Sequence, residues 1–202
     1  MEINNPNNVI YESNMSGWKK FLYLVWDLTK VVCISLAIII PIRYFLIQPF
    51  CVKGASMEPS FYDDEYLIIN EISYRFSEPD RGDIVVFKYP KDPQQFFIKR
   101  VIGLPGETVE ITDGFIFIYK TDGTKMLLEE YNYLPTDVKT QGQNKWTLDK
   151  DEYYVLGDNR EHSMDSRMFG PVTKEFITGK VWLRGWPINR LTVFKEINYG
   201  TK

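Results

Sequence analysis

The sequence predicts a mainly β protein, an antiparallel β-sheet domain attached to one N-terminal transmembrane helix. Three observations predict it. An apolar run carrying a single charge occupies residues 31–47. From Tyr66 onward, short segments rich in β-branched and aromatic residues alternate with Gly, Pro and Asp, the pattern of strands bounded by turns. Two Asp-Gly pairs lie between such segments, where the left-handed backbone of a tight hairpin is needed.

In chain order, residues 1–17 are polar and rich in Asn, which predicts a disordered cytoplasmic segment. Residues 18–48 read as a juxtamembrane stretch and a single anchor. The run 31–47 lies at the lower end of the about 17–25 residues that span a bilayer as a helix. Pro41 and Arg43 interrupt the run, and Phe50 and Val52 follow it. A cleaved leader would have an unbroken apolar stretch and small residues at its end, so an uncleaved anchor fits better. A buried core helix fits less well too. Lys19, Lys20 and Lys30 precede the run, whereas only Arg43 and Lys53 follow closely. That asymmetry predicts a cytoplasmic N-terminus, with residues 49–202 on the outer side of the cell membrane.

Residues 49–202 form the expected β domain. Its strand-like segments are "YLIINEI", "DIVVFKY", "FFIKRVIG", "TVEI", "FIFIY", "YYVLG" and "KVWLRG". Asp113-Gly114 and Asp122-Gly123 read as hairpin turns. No helical period of comparable length follows the anchor.

Composition excludes several functions. With 44% hydrophobic and 25% charged residues the chain is an ordinary globular one. A net charge of -3 and a pI near 5.3 give no basic footprint, so no nucleic acid partner is expected. Cys33 and Cys51 are the only cysteines; along a helix they would stand roughly 27 Å apart, beyond disulfide reach. The chain has one histidine and no paired cysteines, so neither a metal site nor a cofactor is expected.

Candidate chemistry lies in four stretches: "GASMEPSF", "RGDIVVFKYP", "IKRVIGLPGE" and "VLGDNREHSMDSRMFGPV". The hydroxyl of Ser56 is a weak nucleophile that needs a base within hydrogen-bond reach. One candidate is His162, with Asp158 or Asp165 as the orienting acid, although "NREHSMD" also reads as an exposed turn. The other is Lys99. An ordinary lysine is neutral in only about one molecule in a thousand at pH 7.4, but apolar burial lowers that barrier. On a strand Lys99 shares its face with Phe97 and Val101, while Ile98 and Arg100 take the other. Arg100 reads as a structural ion-pair partner, and Asn159 and Arg160 as residues of a strand-capping turn. Small Gly54 and Ala55 leave room for a substrate carbonyl to approach the Ser56 N–H.

In this order the four stretches resemble the boxes of bacterial type I signal peptidases, membrane-bound serine proteases that remove signal peptides from exported proteins. S-M-x-P, K-R-V-I-G-x-P-G and G-D-N-R-x-x-S-x-D-S-R occur together, and the likeness continues to "GKVWLRGWPINR". The resemblance implies a Ser56–Lys99 dyad, with Ser163 hydrogen-bonding the lysine amine. It implies a supporting network of Asp158, Asp165 and Arg167, and shallow pockets lined by Phe50, Val52 and Ile98 that admit only small residues. Some members carry a serine two positions before the nucleophile, whose hydroxyl is a second oxyanion donor; here that position is Gly54, so the side-chain donor is absent. The segment between Lys99 and Gly157 is too short for the inserted second domain of some relatives, which implies the compact, Gram-positive-like form. Implied partners are the signal peptides of preproteins, the lipid bilayer and the export machinery. Two other readings stay open: a self-cleaving Ser-Lys protease like the SOS-response repressors, which the anchor disfavours, and a catalytically silent tethered domain that binds signal peptides.

Overall fold

The computed structural model describes residues 17–45, 48–195, 197 and 199. The predicted cytoplasmic segment falls almost wholly outside them. The chain divides into a helical unit and a β unit that begins at residue 45.

Helix α1 (Gly17–Phe45) runs for 29 residues. Its stretch Gly17–Ile40 is long and apolar enough to cross a membrane; at 1.5 Å per residue it spans about 36 Å, against a hydrocarbon core of about 30 Å. Side chains from Gly17 to Ile40 are exposed throughout, as a lipid-facing helix requires. Among the described residues no other helix meets these criteria.

The β unit comprises two antiparallel sheets. The larger contains β1 (Gln48–Cys51), β2 (Tyr66–Asn70), β3 (Ile84–Tyr89), β4 (Asp92–Gly103), β9 (Glu152–Leu156), β10 (Val172–Thr173), β11 (Ile177–Trp186) and β12 (Thr192–Val193). Their order is β1-β2-β11-β3-β4-β9-β10, with β12 on β11. The smaller sheet orders β7 (Lys125–Leu127), β6 (Phe115–Tyr119), β5 (Thr108–Thr112) and β8 (Asn144–Thr147). Two single-turn helices, α2 (Ser73–Phe76) and α3 (Ser166–Phe169), complete the framework.

All seven expected strands are present. On β6, Ile116 and Ile118 are buried while Phe115, Phe117 and Tyr119 face outward, the two-residue alternation of a half-buried strand. In β3, Ile84 to Phe87 are continuously buried, because β11 and β4 flank the strand and its faces are covered. The first Asp-Gly pair makes a two-residue turn with Thr112 opposite Phe115; both turn residues have positive φ.

Strand β4 joins three cores. Ile98 packs with Val52, Met57, Phe61 and Val86; Val101 joins Val85, Phe87 and Val155; Ile102, with Tyr154 of β9, joins the smaller sheet through Val109 and Ile118. A side chain in the middle of this 12-residue strand is held by packing on several sides. Lys99 occupies that position, opposite Val85 of β3.

Candidate active site

Ser56 lies on the loop after β1. The loop is closed by Val52 N–H donating to the Glu65 carbonyl at 2.8 Å and Asp64 N–H to Val52 at 3.0 Å. The next residue, Met57, is fully buried in the core beside Phe61. Burying an unbranched side chain of that size fixes the loop, so the adjacent hydroxyl has little freedom.

Lys99 is 3% exposed. Its Nζ lies 2.8 Å from Ser56 Oγ and donates to the Ile98 carbonyl at 2.7 Å. A neutral amine has two N–H donors and one lone pair. With one donor on Ile98, the lone pair is available to the Ser56 hydroxyl. Burial pushes the Lys99 ammonium down to about 8, while the carboxylates of Asp165 and Asp158 pull it back up. Desolvation is the larger influence.

The two expected acids do different work. Asp165, fully buried, receives Arg167 Nε and Nη2 in a two-pronged pair at 2.8 Å each and also the Gly157 N–H at 3.1 Å. Asp158 forms a buried two-pronged pair with Arg100 at 2.9 and 2.6 Å, which is the structural role expected of Arg100. The Arg100 guanidinium also covers the Tyr133 ring at 3.9 Å. Ser163 is close by but does not bond Lys99: its hydroxyl is buried without a protein partner. It presses instead on Gly157, where an added Cβ would stand 2.0 Å from Ser163 Oγ and 2.5 Å from the Ser56 carbonyl oxygen. Only glycine permits that approach.

His162 is exposed. Its backbone N–H and ring both turn to Asn159, and no contact joins it to Ser56. Gly54 has a φ of +84° with open space around it, and its N–H donates to Asp63 at 2.8 Å. A serine there would be strained by its backbone rather than by crowding.

A groove of about 380 Å³ opens at the dyad. Phe50, Val52 and Ile98 line it with Ser56 and Lys99; so do Leu67, Val86, Gln95, Phe96 and Met164. Sequence reasoning missed the last five. Period-two alternation in "DIVVFKY" and "QQFFIK" places Val86 and Phe96 on strands, but which side faces a groove depends on pairing across β2, β3 and β4. Sequence reasoning also missed Arg160, whose buried guanidinium holds the Gly157 carbonyl at 3.0 Å and Glu130 at 2.7 and 2.5 Å. Among the described residues no group of His, Cys, Asp and Glu could hold a metal ion.

The family model described as signal peptidase, peptidase S26, matches residues 25–186. The chain is 38% identical to a signal peptidase I of Leptolyngbya laminosa, over 80% of this chain and 80% of that protein. It is 36% identical to signal peptidase I P of Bacillus subtilis subsp. natto, over 80% of this chain and 87% of that one. A crystal structure of a signal peptidase I from Enterococcus faecalis V583 aligns with 52% of this chain and 97% of its own at 33% identity, with a TM-score of 0.42. With most of its length matched by the family model and by relatives above 30% identity, the chain belongs to the signal peptidase family, peptidase S26.

Proposed function

We propose that this chain is a membrane-anchored serine endopeptidase that removes N-terminal signal peptides from exported preproteins with a Ser56–Lys99 dyad. One observation carries the reading: a buried lysine amine 2.8 Å from a serine hydroxyl, both lining a groove with Phe50, Val52 and Ile98. Ser56 Oγ attacks the scissile carbonyl while Lys99 Nζ takes its proton. The Ser56 N–H faces the oxygen that becomes negative. The resulting ammonium returns the proton to the leaving amine, and Lys99 then deprotonates the water that releases the acyl group. Asp158 with Arg100 ties the 157–167 segment to β4, and Asp165 with Arg167 and the Gly157 N–H braces that segment internally. Ser163 has an unfilled buried hydroxyl beside Gly157 and the Ser56 carbonyl, suited to accept a second N–H from Lys99 once substrate is bound.

Phe50, Val52 and Ile98 give the groove its specificity. A substrate bound as an added strand turns alternate side chains to one face, so the first and third residues before the cut would meet these walls. The helix tethers the β unit to the bilayer from which signal peptides emerge, with the N-terminus cytoplasmic and the β unit outside. The export machinery is a natural further partner.

The test is cleavage of a preprotein by the full chain in detergent micelles. Cleavage should fall at the junction after a small residue, and replacing that residue by Phe should lower the rate about 10–100-fold, since overfilling a packed site costs about 1–3 kcal/mol at the transition state. Cutting that ignores this residue would rule out the groove assignment.

The pH profile gives a second expected result. Lys99 works only when neutral. With its ammonium held at about 8, kcat/KM should rise about tenfold per pH unit below that value and level off above it. At pH 7 about one molecule in ten is then active, against fewer than about one in a thousand for an ordinary lysine. A limb that disappears in His162→Ala would instead identify the histidine as base.

A further inference from the structure

The dyad accounts for proton transfer but not for how the Ser56 N–H is aimed. Asn159, which the sequence offers only as a turn residue, contacts both sides of the nucleophile. Its backbone N–H donates to the Ser56 carbonyl at 3.1 Å, and its side-chain Nδ2 donates to the Ala55 carbonyl at 3.1 Å. These two carbonyls belong to the peptide planes on either side of the Ser56 Cα. Each plane is rigid, so tethering both leaves little freedom in the φ and ψ of Ser56.

The direction follows from the same planarity. In a trans peptide the carbonyl and the N–H point opposite ways. The Ala55 carbonyl accepts both Asn159 Nδ2 and, within its own turn, the Glu58 N–H at 3.2 Å; with the carbonyl held there by both, the Ser56 N–H must point the opposite way. Among the described residues that N–H donates to no protein acceptor. It is left for an incoming carbonyl oxygen.

The amide orientation is itself fixed. The His162 N–H reaches Asn159 Oδ1 at 3.3 Å and the Asn159 carbonyl at 3.2 Å. A carboxamide has one oxygen and one NH2. With Oδ1 engaged by a donor, Nδ2 is the end that meets Ala55. Gly157 lets the turn come this close, because any Cβ there would collide with the Ser56 carbonyl oxygen at 2.5 Å.

We infer that Asn159 is a positioning residue for catalysis, fixing the Ala55–Ser56 peptide so that the Ser56 N–H is presented to the tetrahedral oxyanion. With Gly54 supplying no side-chain donor, that N–H carries more of the oxyanion charge, and its aim matters correspondingly more. This role rests on the dyad reading given above and extends it.

Asn159→Asp is the sharpest variant. It keeps the acceptor facing His162 and replaces the donor with an oxygen that repels the Ala55 carbonyl. Removing an oxyanion donor outright costs about 10²–10³ in kcat; misdirecting one should cost about 10–100-fold. KM for a peptide substrate should stay within about twofold, the signature of an interaction made only in the transition state. The Ki of a peptide aldehyde, whose adduct places oxygen at the same N–H, should rise in step with the fall in kcat/KM. In Asn159→Ala the Lys99 limb of the pH profile should not move, because the amine keeps its contacts; in Asn159→Asp the added carboxylate should shift it to higher pH, as Asp165 and Asp158 already do. Asn159→Ala, which adds no charge, should show the same pattern more weakly.

Unchanged kcat and Ki in both variants would overturn the inference. So would a loss of activity with a shifted Lys99 limb in Asn159→Ala, which marks general disruption of the site, or loss of the melting transition, which marks a residue that holds the fold rather than one peptide. A wild type that cleaves no preprotein would instead refute the dyad reading, so the two failures are distinguishable.

Discussion

Lys99→Ala and Ser56→Ala are each expected to abolish preprotein cleavage while leaving the protein folded, and His162→Ala to retain activity within about twofold. Removing a nucleophile or its base from a serine protease site typically costs about 10⁴–10⁶ in kcat, and the losses do not add because the two groups act as a unit. The double variant should therefore be no slower than either single one. Lys99→Arg makes the argument stricter: a guanidinium can fill much of the same space, yet it stays protonated at every usable pH, so it too should be inactive. Folding is expected to survive because Lys99 is a poor contributor to stability, an amine held at about 8 by desolvation. His162 is dispensable for a plain geometric reason: its side chain is exposed and its ring reaches only Asn159, at 3.4 Å. Activity measured with a detergent-solubilised preprotein, with circular dichroism as the folding control, decides it. If His162→Ala were dead and Lys99→Ala active, the base would be misassigned.

Ser56 and Lys99 were legible because each sits in a short local pattern, although 43 residues separate them. The same holds for the strands: seven segments announce themselves by alternation and β-branching, which are local properties. The missed strands carry no such signal. In β8, "NKWT", no apolar alternation exists, and its conformation comes from pairing with β5, where Trp146 lies opposite Val109. In β1 the apolar character of the anchor region runs into the strand, so hydropathy marks no start at Gln48. Functional context was hidden for a similar reason. Arg160 is a turn residue by sequence; only folding brings it to Glu130, 30 residues away. Asn159 meets Ala55 across 104 residues. Ser163 is the reverse case, a motif position whose expected bond to Lys99 is not formed here. The short-range pattern specifies what kind of group is present; long-range pairing decides what it touches.

The largest stability effect is expected at Asp158, and it should carry a signature in catalysis. Its pair with Arg100 is nearly dry, the two side chains being 3% exposed for Arg100 and 0% for Asp158. Removing one member of such a pair strands the other charge without water, which costs about 3–5 kcal/mol. For a chain of this size each kcal/mol lowers Tm by roughly 2–4 °C, so Asp158→Ala should melt on the order of 10 °C below wild type. Arg100 would keep the Gly82 carbonyl at 3.0 Å, Ser60 Oγ at 3.3 Å and the Tyr133 ring; none is a counter-charge. Replacing both partners together, Arg100→Met with Asp158→Leu, removes the stranded charge and should cost less than Asp158→Ala alone. The catalytic signature comes from charge. Asp158 is one of two carboxylates that raise the Lys99 ammonium, so Asp158→Asn, with Arg100 left positive beside it, should move the alkaline-rising limb of kcat/KM to lower pH. The sign is fixed: less negative charge near the amine favours its neutral form. Thermal melts and pH–rate profiles on the same preparations test both halves. A limb that stays in place while Tm falls would confine the pair to holding β4 against the 157–167 segment; a limb that moves makes Asp158 part of what sets the base.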